Sequence, residues 1–242
     1  MGDHLLDAWR TVMPPRDDPF GPLPPVLVVL TVVSGFVDAF SYLELRHTFV
    51  ANMTGNVVFL AFSLGGSREF VWWASLLAVA AFVVGALAGG RIAHVFGAHR
   101  GRHLCLAAGL QTVLVLAACV LGASLDQPYR DPAAASMIFV LAVGMGLQNA
   151  TVLALAVPGL TTTVLTRTIA GLMADSAAGR GQIGRRIVSV VSLFVGALMG
   201  ALLIEHGYGR WELLVAVALL LVVVGAMART RASTAQWTRK TS

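Results

Sequence analysis

The stretch GFVDAFSYLELRHTFVANMTGN, residues 35–56, sets an aspartate, two asparagines and several hydroxyls among long apolar runs. Polar groups at membrane depth are costly when unpaired, so membrane proteins keep them mostly where a site or a pathway needs them. Read outward from this stretch, the chain is a membrane protein with a polar interior.

Of the 242 residues, 57% are hydrophobic and 12% are charged, against about 25% charged in an average soluble domain. With a mean hydropathy of +0.79, nearly the whole length belongs in a bilayer. The net charge of +5 lies between apolar runs and not along one soluble face, so it reads as the basic fringe of cytoplasmic loops and not as a nucleic-acid surface. Residues 1–25 mix charges of both signs with prolines and do not read as a secretory signal. They are expected to form a cytoplasmic lead-in, either with a short amphipathic helix over Leu5 to Met13 on the membrane surface or as a flexible tail. Cys105 and Cys119 fall in one apolar segment; on a helix they stand roughly 20 Å apart, too far to bridge, and read as small core residues.

Eight apolar runs follow one another: Val26 to Leu45, Val50 to Leu64, Val71 to Phe96, Leu104 to Leu121, Ala133 to Val157, Val164 to Ala178, Ile187 to Ile204 and Leu213 to Ala228. Most reach the roughly 20 residues that a spanning helix needs; the second and sixth are shorter and more polar. Those two hold corresponding places in the two halves. A shift of 111 residues lays Gly35 on Gly146, Asp38 on Asn149, and residues 84–89 (VGALAG) on 195–200 (VGALMG). The expected fold is therefore all-α: a polytopic helical membrane protein with an internal duplication, six full spans and two short or broken segments. Residues 26–229 form a single transmembrane domain, made of repeat 1 over 26–121 and repeat 2 over 133–228, and residues 230–242 are a basic cytoplasmic tail.

Two arrangements remain open. If the short segments cross fully, the repeats are parallel; if they dip in and return, the repeats are inverted. Counting Lys and Arg without Arg167, the inverted form places twelve inside and four outside, the parallel form eleven and five, a thin preference for inversion. In the inverted form residues 46–52 descend as extended chain, a short helix from Thr54 to Leu64 climbs back, and Pro158-Gly159 breaks the chain at the matching place in the later half.

Short helices that start at mid-depth point unpaired N–H groups and a positive dipole end at the centre. Asn52, Thr54 and Asn56 surround one such start, and Thr162, Thr163, Thr166 and Arg167 the other. A polar or anionic solute would be stabilised there; otherwise these side chains cap helices and join neighbours. Together with Asp38, Gln148 and Asn149 they are the expected substrate-binding residues. Asp38 and Arg167 are the two deepest charges, and their pairing would be a structural tie or a gate, while Asp175 is nearer a helix end and solvated. Gly85 with Gly89 and Gly196 with Gly200 give the small-xxx-small spacing of close helix contacts. Their matching positions suggest one helix–helix contact about a pseudo-two-fold axis, with a homodimer as the weaker alternative.

Several patterns carry no chemistry. Residues 179–184 fit GxGxxG but link two membrane segments and lack the strand and acidic residue of a dinucleotide site. The sequons at Asn52 and Asn149 sit at membrane depth. His94, His99 and His103 stand among arginines with no cysteine or carboxylate, which reads as a basic, lipid-facing loop and not a metal centre. No nucleophile–base pair or catalytic carboxylate pair is present, so neither enzyme activity nor a cofactor is expected.

SGFVDAFSYLELRHTFVANMTGNVVFLAFSLG and, later, GMGLQNATVLALAVPGLTTTVLTRTIAGL resemble the YoaK-type bacterial membrane proteins, a domain-of-unknown-function family. The VDA, ANMTGN and GLQNA...TTTVLT elements carry the likeness, which extends from about Val26 to Ala228; at Arg167 the family pattern has glycine. The resemblance implies a membrane protein of this fold, similar in general look to small transporters, and supplies no substrate. The expected function is a secondary transporter or facilitator of a small polar or anionic solute in a bacterial inner membrane, with both termini cytoplasmic. The alternative is a non-transporting scaffold or accessory subunit with a structural polar core.

Overall fold

The computed structural model describes residues 2–15, 17–125, 127–160, 162 and 183–238. Among these are eight α-helices and no strand. They are α1 (Gly2–Val12), α2 (Leu23–Glu44), α3 (Met53–Leu64), α4 (Trp72–Phe96), α5 (Arg100–Ser124), α6 (Asp131–Leu155), α7 (Ile183–Glu205) and α8 (Gly209–Ala228), followed by a short 3-10 turn at Gln236–Thr238. Six of them, α2 and α4 to α8, are long and apolar enough to cross a membrane. The sixth apolar run, Val164 to Ala178, lies outside the described residues.

Local signals set the helix ends. Pro24 and Pro25 open α2, where a missing N–H costs nothing. The helix stops at Leu45 because Arg46 and His47 turn left-handed, with φ of 60° and 53°. Ala156, at φ 50°, caps α6 two residues before Pro158. Hydroxyls inside the spans satisfy themselves on the preceding turn, as Thr31 does on the Leu27 carbonyl and Thr112 on Ala108.

The ends of the spans gather in two layers. At the proximal end Arg185 pairs with Asp18 at 3.4 Å, Arg100 packs over the Phe20 ring, and Arg102 Nε donates to the Arg231 carbonyl. At the distal end Arg46 pairs with Asp131 at 2.7 Å and donates to the Tyr129 carbonyl, while the start of α8 faces Gln127. The first half therefore sends α2 distally, α4 back and α5 distally; the second half runs α6, α7 and α8 in the opposite sense. Helices α2 and α6 are the most buried spans, and α4 and α7 are outer ones whose exposed Val83, Leu87, Phe194 and Leu198 form an apolar exterior suited to lipid.

Four glycines let the inner and outer spans touch through their backbones. A Cβ on Gly85 would collide with the Val143 carbonyl, and one on Gly196 with the Val32 carbonyl. A Cβ on Gly146 would strike the Phe82 carbonyl, and one on Gly35 that of Leu193. Each of these contacts maps onto its counterpart by the 111-residue shift (32 to 143, 82 to 193, 85 to 196, 35 to 146). This corrects the expectation of one contact between the two glycine stripes: α4 packs on α6 and α7 on α2, with no α4–α7 contact among the described residues. The expected lipid-facing basic loop at 91–102 is corrected in part: the C-terminal tail covers its end, His99 Nε2 meeting the Ser233 carbonyl at 3.0 Å with Arg100 and His103 buried, while Arg91, His94 and Arg102 stay exposed.

Candidate functional site

Glu44 ends α2 distally, and α4 starts distally too, since its C-terminus turns directly into α5 at the proximal end. The chain between them leaves and returns on one side. Its depth is set by Asp38, which lies six residues inside the end of α2, about 9 Å by helical rise. One carboxylate oxygen, Oδ1, accepts from Val50 N at 3.1 Å and from Ala51 N at 2.8 Å. Residues 45–52 thus fold back along α2 to the level of Asp38. The twelve residues of α3 then rise by about 18 Å, well short of the roughly 30 Å hydrocarbon core. The segment is re-entrant.

Asn56 is the second tether. It is fully buried in the first turn of α3; its Oδ1 accepts from Phe49 N at 3.0 Å and its Nδ2 donates to Phe49 O at 2.6 Å. Both backbone groups of a descending residue, which would otherwise be orphaned, are paired by one amide. Gly55 leaves room for the Phe49 ring. That ring stacks between Tyr42 and Phe59, with centroids 4.8 and 5.8 Å away, and Phe59 stacks in turn on Phe70 at 4.6 Å. This aromatic ladder pins the re-entrant hairpin to α2 and to the start of α4. Asn52 and Thr54, by contrast, are exposed at the N-terminus of α3, which has no side-chain cap.

Gln148 belongs to a different cluster. Its Nε2 donates to Ser34 Oγ at 2.8 Å and its Oε1 accepts from Gln111 Nε2 at 2.6 Å, tying α6 to α2 and α5. Ser34 is one turn from Asp38 on α2, so the two clusters sit at adjacent levels. The gap beside Gln148, lined by Leu30, Ala108 and Thr151 among others, has no room for water, which makes this cluster a dry structural tie. Its energetics give a first test. Gln111→Leu leaves buried Gln148 Oε1 without a donor, which costs about 1–3 kcal/mol. Gln111→Leu with Gln148→Leu is expected to melt closer to wild type than the Gln111→Leu single variant; additive losses in a double-mutant cycle would refute the tie.

Asn149 is half-buried on the next position of α6. Thr163, Thr166 and Arg167 lie outside the described residues, and so does any pairing of Asp38 with Arg167. The structure therefore brings Asp38 and Asn56 together around residues 49–51 and leaves Asn52 and Thr54 open beside them. The sequence reading missed Gln111, Ser34 and the aromatic ladder. Gln111 is a lone amide in an apolar run, and that was the one signal available for it. At the distal mouth a groove of about 1030 Å³ opens beside Arg46, Tyr129 and Arg130, so Arg46 serves both the hairpin turn and the groove wall.

Six apolar spans, with a short re-entrant helix packed on α4, define a multi-pass α-helical membrane protein. The sequence profile of the family described as "Protein of unknown function (DUF1275)" matches residues 26–226, and the chain belongs to that family. It is 30% identical over 151 residues to the "UPF0700 transmembrane protein YoaK" of Bacillus subtilis (strain 168), a match covering 62% of this chain and 65% of that relative. No solved structure matches.

Proposed function

We propose that this protein is a secondary transporter or facilitator of a small polar or anionic solute, working at mid-membrane between two halves that are inverted duplicates. The observation that carries the reading is the re-entrant helix α3: its N-terminus starts at the depth of Asp38, uncapped, with Asn52 and Thr54 exposed around it. The first-turn N–H groups and the positive dipole end favour an anionic or strongly polar group there, as at the broken helices of secondary transporters. The glycine contacts that repeat at a 111-residue shift, with opposite span directions in the two halves, support the duplication. The proximal layer holds Arg10, Arg91, Arg100, Arg102, Arg185, Arg186, Arg229 and Arg231 among the described residues, and the distal layer Arg46, Arg68, Arg130 and Arg210. By the positive-inside rule this excess favours the proximal end, with both termini, as cytoplasmic in a bacterial inner membrane.

The second reading is a scaffold or accessory subunit, and the dry, fully paired Gln111–Gln148–Ser34 tie favours it. A thermal-shift screen of the purified protein against small carboxylates, amino acids and inorganic anions, followed by flux assays in proteoliposomes, separates the two. A solute that binds the folded state raises its melting temperature. The expected result is a stabilising solute whose shift is lost in Asn52→Ala and Thr54→Val, while both variants melt as wild type without it. A complete screen with neither stabilisation nor flux would leave the scaffold reading standing.

A further inference from the structure

Glu212 lies in the first turn of α8 and is completely buried. Among the described residues neither of its carboxylate oxygens has a hydrogen-bond partner. It fills the space that Gly200 of α7 leaves free, since a Cβ on Gly200 would collide with Glu212 Oε1. One turn away along α8 stands a second carboxylate: Glu44, half-buried at the distal end of α2, puts its Oε1 3.7 Å from where a Gly209 Cβ would be. Neither acid takes part in a described ion pair.

Among the described side chains, the groups around Glu212 supply no positive charge. From α2 the acidic neighbour is Glu44, while Asp38 is engaged by Val50 and Ala51. From α7 the facing position is Gly200, with Glu205 and His206 exposed at the helix end. The second half of α5 carries one titratable side chain, the Cys119 thiol, and the following linker brings the neutral Gln127. An ionised carboxylate with neither a donor nor a counter-charge is not tolerated in such surroundings, and the group takes up a proton instead. A bound metal ion would need several further oxygens, and no cluster of three or more acidic, histidine or cysteine ligands occurs among the described residues.

We propose that Glu212 is a proton-binding site, occupied in the resting protein and reached from the distal side past Glu44. The site stands whatever the re-entrant centre carries, and its test needs no solute. Infrared spectra of the purified protein at neutral pH are expected to show a protonated-carboxyl band that shifts in D2O. The band is expected to be absent from Glu212→Gln and retained in Glu44→Gln and Asp38→Asn. Identical bands in wild type and Glu212→Gln would overturn the proposal. So would a sodium-dependent rise in melting temperature that Glu212→Gln abolishes, because the carboxylate would then be ionised around a metal ion. If Glu212→Gln does not fold, loss of the band from either of the two other variants still refutes the site.

Discussion

Gly146→Leu is expected to prevent recovery of folded protein, and Gly35→Leu to do the same. At both positions the added Cβ meets a backbone carbonyl of the partner helix, Phe82 for the first and Leu193 for the second. A side chain can rotate away from an intruding atom, but a helix backbone cannot, so the two helices must separate along their length. Overpacking typically costs about 1–3 kcal/mol and occasionally more. Here the upper end applies, because the added Cβ meets backbone on two successive turns, Phe82 O and Ala86 N for Gly146 and Leu193 O and Ala197 N for Gly35. Gly90→Leu and Gly225→Leu are the controls: both glycines are exposed, and nothing lies within 4 Å of a Cβ built on either. Yield of monodisperse protein and melting temperature read the outcome. A Gly146→Leu protein that melts like Gly90→Leu would refute the backbone contact and the close α4–α6 packing with it.

Asn56→Ala is expected to release the re-entrant hairpin while leaving the six spans folded. The substitution removes at once the acceptor for Phe49 N and the donor to Phe49 O, and each orphaned group costs about 1–3 kcal/mol when it stays buried. The segment has a cheaper course, which is to open and let water reach residues 45–52. A Val50→Cys reporter, buried in the native hairpin, reads this directly: labelling by a membrane-impermeant thiol reagent should accelerate more than about tenfold, the equivalent of about 1.4 kcal/mol. Asn56→Asp, which keeps the acceptor and loses the donor, should fall between the two. Unchanged labelling in Asn56→Ala would mean that Asp38 and the aromatic ladder hold the hairpin unaided. Because the same turn carries Asn52 and Thr54, any solute-dependent stabilisation should vanish with it.

Most of the helical scaffold is legible in the sequence because helix formation in a bilayer is a local matter. The apolar runs, Pro24-Pro25 at the start of α2 and Pro158-Gly159 beyond α6 place the spans to within a few residues. The unusual polarity of residues 46–56 singles out α3, and its length is too short to cross. The glycine stripes announce close contacts as well. Their partners were not legible: Gly85 and Gly196 were expected to share one contact, and each instead packs on the inner helix of the other half. Spacing along one helix says that a neighbour comes close, and nothing in it says which neighbour.

The polar centre divides in the same way. By itself the sequence determined that Asp38, Asn56 and Gln148 sit at membrane depth and that such groups must find partners. Only the tertiary structure decided that Asp38 and Asn56 hold the backbone of residues 49–51, and that Gln148 reaches Ser34 and Gln111. It alone turned Glu212, which in the sequence is an ordinary acidic residue at a helix start, into a buried carboxyl without a donor. The physical reason is that desolvation cost is a property of a residue and its depth, which a linear pattern records. Hydrogen-bond partners come from elements far apart in the chain, and only their packing brings those together.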